Sequence, residues 1–165
     1  MSLKTFTAAA SLFLLAACGD SAVPTTPVPN FAGSYGVQWQ VQFHRNHDNF
    51  EGSYFCYGTL TMTQSPTGRG DAALNGFVVI QGGCPQGTFD LTGSVRSNGA
   101  ISLRTVGPRP NEGQCPFAMD TVYSGLVSEA SGGSYSLSAR ATTLLNCPGP
   151  GEGEHRFDYV IQGWK

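Results

Sequence analysis

Between positions 35 and 43 the chain alternates without a break: Tyr35, Val37, Trp39, Val41 and Phe43 are apolar, and Gln38, Gln40 and Gln42 stand between them. Successive side chains of a strand point to opposite faces, so a period of two collects five large apolar groups on one surface and the glutamines on the other. That pattern excludes an amphipathic helix here and predicts a strand with one face in a core and the other in water. The same period returns later, where Phe89, Leu91, Gly93 and Val95 alternate with Asp90, Thr92, Ser94 and Arg96, and Tyr135, Leu137, Ala139 and Ala141 alternate with Ser136, Ser138 and Arg140. Strands are predicted over 35–43, 54–64, 72–81, 88–96, 100–106, 119–128, 134–142 and 155–164; no run of helical periodicity reaches three turns. Ser97-Asn98-Gly99 reads as a tight hairpin turn, because Asn-Gly supplies positive φ values, and Ser131-Gly132-Gly133 reads likewise.

About eight antiparallel strands with short connections predict an all-β fold, either a single up-and-down barrel or a two-sheet β-sandwich. Closure removes exposed strand edges, which favours the barrel. Composition agrees: charged residues are only 12% of the chain, against a usual quarter or so, and glycine is abundant at 22 residues. The opening Phe31-Ala32-Gly33-Ser34-Tyr35 and the strand pattern resemble small lipocalin-like or calycin barrels, which implies a barrel fold. Tyr35 stands where that group has a tryptophan, and no binding residue is carried across.

The N-terminus reads differently. Lys4 precedes an apolar run from Phe6 to Ala17, too short for a stable transmembrane helix and ending in small residues, as a secretory signal does. Leu15-Ala16-Ala17-Cys18 resembles the lipobox of bacterial lipoprotein precursors. The resemblance implies cleavage of residues 1–17, a diacylglycerol on the Cys18 sulfur and an acyl chain on its new amino group. Two or more chains suffice for stable anchoring at about 0.8 kcal/mol per buried methylene, so the implied partner is a membrane. Gly19, rather than Asp, follows the lipidated cysteine, which favours the outer membrane in a host with two. Residues 18–30 then form a tether whose Pro24, Pro27 and Pro29 enforce extension, and the folded domain is expected over 31–165. Without Lys4 the chain carries eight basic against eleven acidic side chains, a net charge near −3 that invites no nucleic acid.

Four cysteines remain, Cys56, Cys84, Cys115 and Cys147, and an even number in an exported chain predicts two disulfides. Three precede proline. Such pairs ligate haem in some regulatory proteins, but a loop disulfide beside a turn proline explains them more simply. In an up-and-down barrel the connections near 44–52, 82–87, 107–117 and 144–154 share one end, which gathers all four cysteines at that rim. Pairing of adjacent strands would join Cys56 to Cys84 and Cys115 to Cys147; Cys84–Cys115 with Cys56–Cys147 is the rival.

The same rim collects the scarce ionisable groups, among them His44, His47, Asp48, Arg109, His155 and Arg156, which are the candidate ligand-binding residues. Long loops over a barrel mouth are a usual place for recognition, although loops are polar in any protein. His44, His47 and His155 supply imidazoles suited to zinc or copper, but their spacing fits no metal fingerprint. No other cofactor is implied. The nucleophile elbow, metalloprotease helix motif and phosphate loop are all missing, and no enzymatic activity is expected. A dispersed acid–base pair, such as Glu154 with His155, would have to be assembled in space, Gly149-Pro-Gly151 reads as a flexible loop, and Arg69-Gly70-Asp71 reads as a turn. Two functions follow. One is a lipid-anchored envelope protein that binds a small ligand or metal at the barrel mouth, with room left inside by Gly58, Gly93, Gly125 and Ala139. The other is a filled barrel acting as a structural or protein-interaction module, including a protease inhibitor, through Phe50, Tyr54 and Phe117.

Overall fold

The computed structural model describes residues 27–46, 49–67, 70–84, 86–107, 121–147 and 153–165. Eight strands follow one another: β1 (Gly33–Arg45), β2 (Asn49–Thr67), β3 (Asp71–Gly82), β4 (Gly87–Arg96), β5 (Ala100–Val106), β6 (Val122–Glu129), β7 (Tyr135–Cys147) and β8 (Gly153–Trp164). Each pairs antiparallel with the next, and β8 returns to β1 through a ladder from Gly36↔Trp164 to His44↔Arg156. The sheet is closed, which excludes the sandwich.

Alternation decides which side of the wall each residue takes. Tyr35, Val37, Trp39 and Val41 of β1, Leu74 and Val78 of β3, Leu137 and Ala139 of β7 and Tyr159 and Ile161 of β8 are buried inside, while the intervening Gln, Ser, Thr and charged residues face water. An apolar lumen with a polar outer wall is the reverse of a membrane-spanning barrel, so this wall is built for water.

Two strand pairs run further than their periodicity indicates. β1 and β2 stay paired to Arg45↔Asn49, across an irregularity between Phe43 and His44, and β7 and β8 stay paired to Cys147↔Gly153. Much of the rim expected to be loop is therefore strand. In these extensions the sorting by polarity breaks down, with His155 buried inside and Phe50 and Leu144 exposed, so a period of two leaves no signal although the backbone ladder continues. Asn46 takes a left-handed conformation at the end of β1, with φ of 47°. At the Ser97-Asn98-Gly99 turn only the glycine has positive φ; its N–H donates to the Arg96 carbonyl, and the Asn98 side chain accepts from the Ala100 N–H.

Inward glycines do not open the lumen. A Cβ on Gly125 would lie 2.5 Å from the Ala139 Cα, and one on Gly93 would lie 3.1 Å from the Leu103 Cα, in each case closer still to a carbonyl oxygen of the neighbouring strand. These positions let coiled strands approach at the tight curvature of a small barrel, which is why they lack a side chain.

The two ends of the barrel differ. At the end where β1 begins, Phe31 is buried, stacks edge-on against Tyr135 with ring centres 5.3 Å apart, and accepts a hydrogen bond at its carbonyl from the Tyr35 hydroxyl. Gln64 holds the incoming chain at both sides, accepting from the Phe31 N–H and donating to the Pro29 carbonyl. Lys165 reaches the Ala32 carbonyl and lies 5.1 and 4.8 Å from the ring centres of Tyr35 and Tyr135. This end is sealed by the chain itself.

Candidate functional site

At the opposite end, the disulfide Cys56–Cys84 ties β2 to the start of the β3–β4 connection. Of the pairings open from sequence, this one belongs to the adjacent-strand scheme, and it excludes Cys84–Cys115 and Cys56–Cys147. Cys115 and the side chain of Cys147 lie outside the described residues, so one disulfide is seen rather than two. Cys56 is fully buried and sits opposite Trp39 in the β1–β2 ladder, which places the cross-link just inside the rim.

The rim histidines separate. His155 points into the lumen, 4% exposed, its ring edge-on to Phe43 at 5.2 Å and its Nδ1 3.4 Å from the Asn46 N–H, which donates to it. His44 lies on the outer wall. Its Nε2 is 3.1 Å from Asp158 Oδ2, and an Arg156 terminal nitrogen is 3.2 Å from its Nδ1. Arg156 Nε donates to the same Asp158 oxygen at 3.1 Å, and the Thr142 hydroxyl donates to the other at 2.6 Å. His44 and Arg156 are thus brought together, around an acid that sequence reasoning missed. The pattern Arg156-x-Asp158 was the available signal, since residues two apart on a strand share a face. The cluster spans three strands and pins the β7–β8–β1 seam. His44 and His155 fall on opposite sides of the wall, and no group of three or more potential metal ligands occurs among the described residues. His47, Asp48 and Arg109 lie outside the described residues.

A second polar group lies where an apolar core was expected. In the rim half of the lumen Thr105, Thr121, Tyr123 and His155 are all buried. Adjacent chain segments bring the first three together: Leu103 pairs with Tyr123, and the Thr105 N–H donates to the Thr121 carbonyl one step nearer the rim. The Thr143 hydroxyl donates to the Thr121 hydroxyl at 3.4 Å from β7. Tyr123 meets Tyr159 edge-on, with ring centres 6.0 Å apart. Burial, and then the neighbouring Tyr159 phenol, push the Tyr123 pKa upward, so its hydroxyl stays neutral.

On the outer wall of β2, Phe50, Phe55 and Tyr57 are exposed, with Tyr54 at the mouth about one-third exposed. Burial raises the Tyr54 pKa as well. Phe50 packs edge-on against His44.

These features define a class, a closed up-and-down barrel of eight strands, one end plugged by its own N-terminal segment and the other lined by polar side chains. The sequence matches no protein-family model and no curated protein, and the fold matches no solved structure.

Proposed function

We propose that this chain is a lipid-anchored protein of the bacterial envelope, held in the outer membrane through an acylated Cys18, and that its non-enzymatic barrel binds a small ligand at the mouth. The observation that carries the binding half is the change of lining along the axis. The sealed end is walled by apolar and aromatic groups, whereas the rim half turns Thr105, Thr121, Tyr123 and His155 inward. Buried polar side chains cost free energy unless something pairs with them, and a few convergent polar groups in an apolar concavity are what small-ligand sites use. The anchoring half rests on Leu15-Ala16-Ala17-Cys18 behind its apolar run. A second disulfide, Cys115–Cys147, belongs to the same reading, since an oxidising compartment would leave neither cysteine free.

Native mass spectrometry of the full chain isolated from membranes tests both halves. A mature chain that begins at Cys18 and carries acyl mass, together with a small mass lost on denaturation, is the expected result. An intact residue 1–17 segment in the soluble fraction would refute the anchor. A bare barrel would instead favour a protein-interaction module, the reading supported by the exposed Phe50, Phe55 and Tyr57 on one strand.

A further inference from the structure

Two buried polar atoms in the rim half have no hydrogen-bond partner among the described residues: the Trp39 indole N–H and the Tyr123 hydroxyl. Their side chains are 3% and 0% exposed. They converge, because the Tyr123 hydroxyl is surrounded by Thr105, Trp39 and Thr121, although it stops short of a hydrogen bond to either the indole or the threonines. An unmet buried donor costs roughly 1–3 kcal/mol, and phenylalanine at position 123 would remove half of that deficit without changing the shape of the core. A barrel that keeps both groups is paying in stability for something that uses them.

We propose that the mouth takes a neutral, flat ligand of about one or two rings, whose carbonyl-type oxygen accepts hydrogen bonds from the Trp39 N–H and the Tyr123 hydroxyl. The inference rests on the mouth-binding reading and names its chemistry. Three observations select it. The indole offers only a donor, so the ligand atom it meets must be an acceptor. No Asp, Glu, Lys or Arg among the described residues is buried in the lumen. An anion there would meet no Lys or Arg among the described residues, only the imidazole of His155, and a cation would leave both donors unpaired. Finally, Phe43, Phe157 and Tyr159 form a column of rings up one side, with centres 5.1 and 6.2 Å apart and the last two nearly parallel at 18°. The column runs along the lumen wall to Tyr159, whose ring meets Tyr123, and an eight-stranded lumen can be filled by side chains or hold one small ligand.

Three probes built on two fused six-membered rings separate the requirements: coumarin, which is neutral with a ring carbonyl; naphthalene, which has no acceptor; and coumarin-3-carboxylate, which adds a charged group. The full chain carrying Trp164→Phe leaves Trp39 as the only indole, so quenching of its fluorescence reports the lumen directly. Coumarin is expected to bind saturably, and each of the other two at least about tenfold more weakly. Tyr123→Phe should weaken coumarin about tenfold, leave naphthalene unchanged, and leave the melting temperature of the ligand-free protein equal or higher, because it deletes an unpaired hydroxyl. That last readout also shows the variant is folded. Naphthalene binding as tightly as coumarin, a preference for the carboxylate, or indifference of coumarin to Tyr123→Phe would overturn the acceptor chemistry alone. Failure of all three probes overturns it too, and a chain that is also bare in native mass spectrometry brings down mouth binding with it.

Discussion

Adding one methyl group at Gly125 should unseat the β6–β7 ladder. Gly125 pairs with Ala139, itself almost fully buried, and a Cβ at position 125 would stand 2.5 Å from the Ala139 Cα and 2.8 Å from its Cβ. Non-bonded carbons sit about 3.5–4.0 Å apart, so the neighbouring backbone would have to retreat by roughly 1 Å, and it is held by its own hydrogen bonds to β8. Overpacking of this kind costs about 1–3 kcal/mol, and a weakened ladder bond adds about 1 more. Gly125→Ala should therefore lose about 2–4 kcal/mol. With a urea slope of about 1–3 kcal/mol per molar, the unfolding midpoint should fall by on the order of 1–2 M. Gly52→Ala is the control, since nothing lies within 4 Å of a Cβ there and its φ is not positive. It should shift stability by no more than about 0.5 kcal/mol. If the two variants unfold at the same urea concentration, the reading of inward glycines as sites of strand approach is wrong.

Alkali should destabilise the barrel, because its buried tyrosines give up their protons more readily in the unfolded chain. Burial, and then the Tyr135 phenol, push Tyr35 up to about 12, and burial raises Tyr54 and Tyr123 as well, whereas all three titrate near 10 when unfolded. The folded state then binds more protons, so this stability is fully present below pH 10 and is lost as pH rises towards 12. Urea midpoints that stay level up to pH 11.5, with tyrosinate absorbance followed in parallel, would contradict it. Opening Cys56–Cys84, whose partners are 28 residues apart, should cost about 3–4 kcal/mol by loop entropy, measured as the midpoint difference between the oxidised chain and Cys56→Ala/Cys84→Ala. Asp158→Ala removes the shared acceptor of Thr142, His44 and Arg156; partial exposure limits the loss to about 1 kcal/mol, and a double-mutant cycle with His44→Ala that returns no coupling would show the cluster is idle.

What could be read in the sequence was whatever one buried face imposes. Tyr35, Val37, Trp39 and Val41 announce a half-buried strand because water and core sit on opposite sides of it, and the turn at Gly99 announces itself through backbone sterics. Simple up-and-down order then placed the connections after β1, β3, β5 and β7 together and put Cys56–Cys84 in one of two schemes. The rim extensions to Arg45↔Asn49 and Cys147↔Gly153 left no trace because there a buried position holds His155 while Phe50 and Leu144 face outward. Gly125 looked like spare volume, since a sequence does not show how closely the next strand passes. Trp39 and Tyr123 looked like ordinary core: their rings obey the apolar stripe, and whether an indole N–H or a phenol finds a partner depends on what faces it across the lumen.

Phe31 does more than close a hole. Because the described chain enters at the plugged end, an anchor at Cys18, if the proposed acylation holds, would be joined to the barrel at its floor and not at its mouth. Thirteen residues from Cys18 to Asn30 span at most about 45 Å fully stretched, and Gln64 fixes the last of them at Pro29. On the proposed reading the stalk and the mouth would then sit at opposite ends of the barrel, so that the tether need not cross the opening through which a guest would enter.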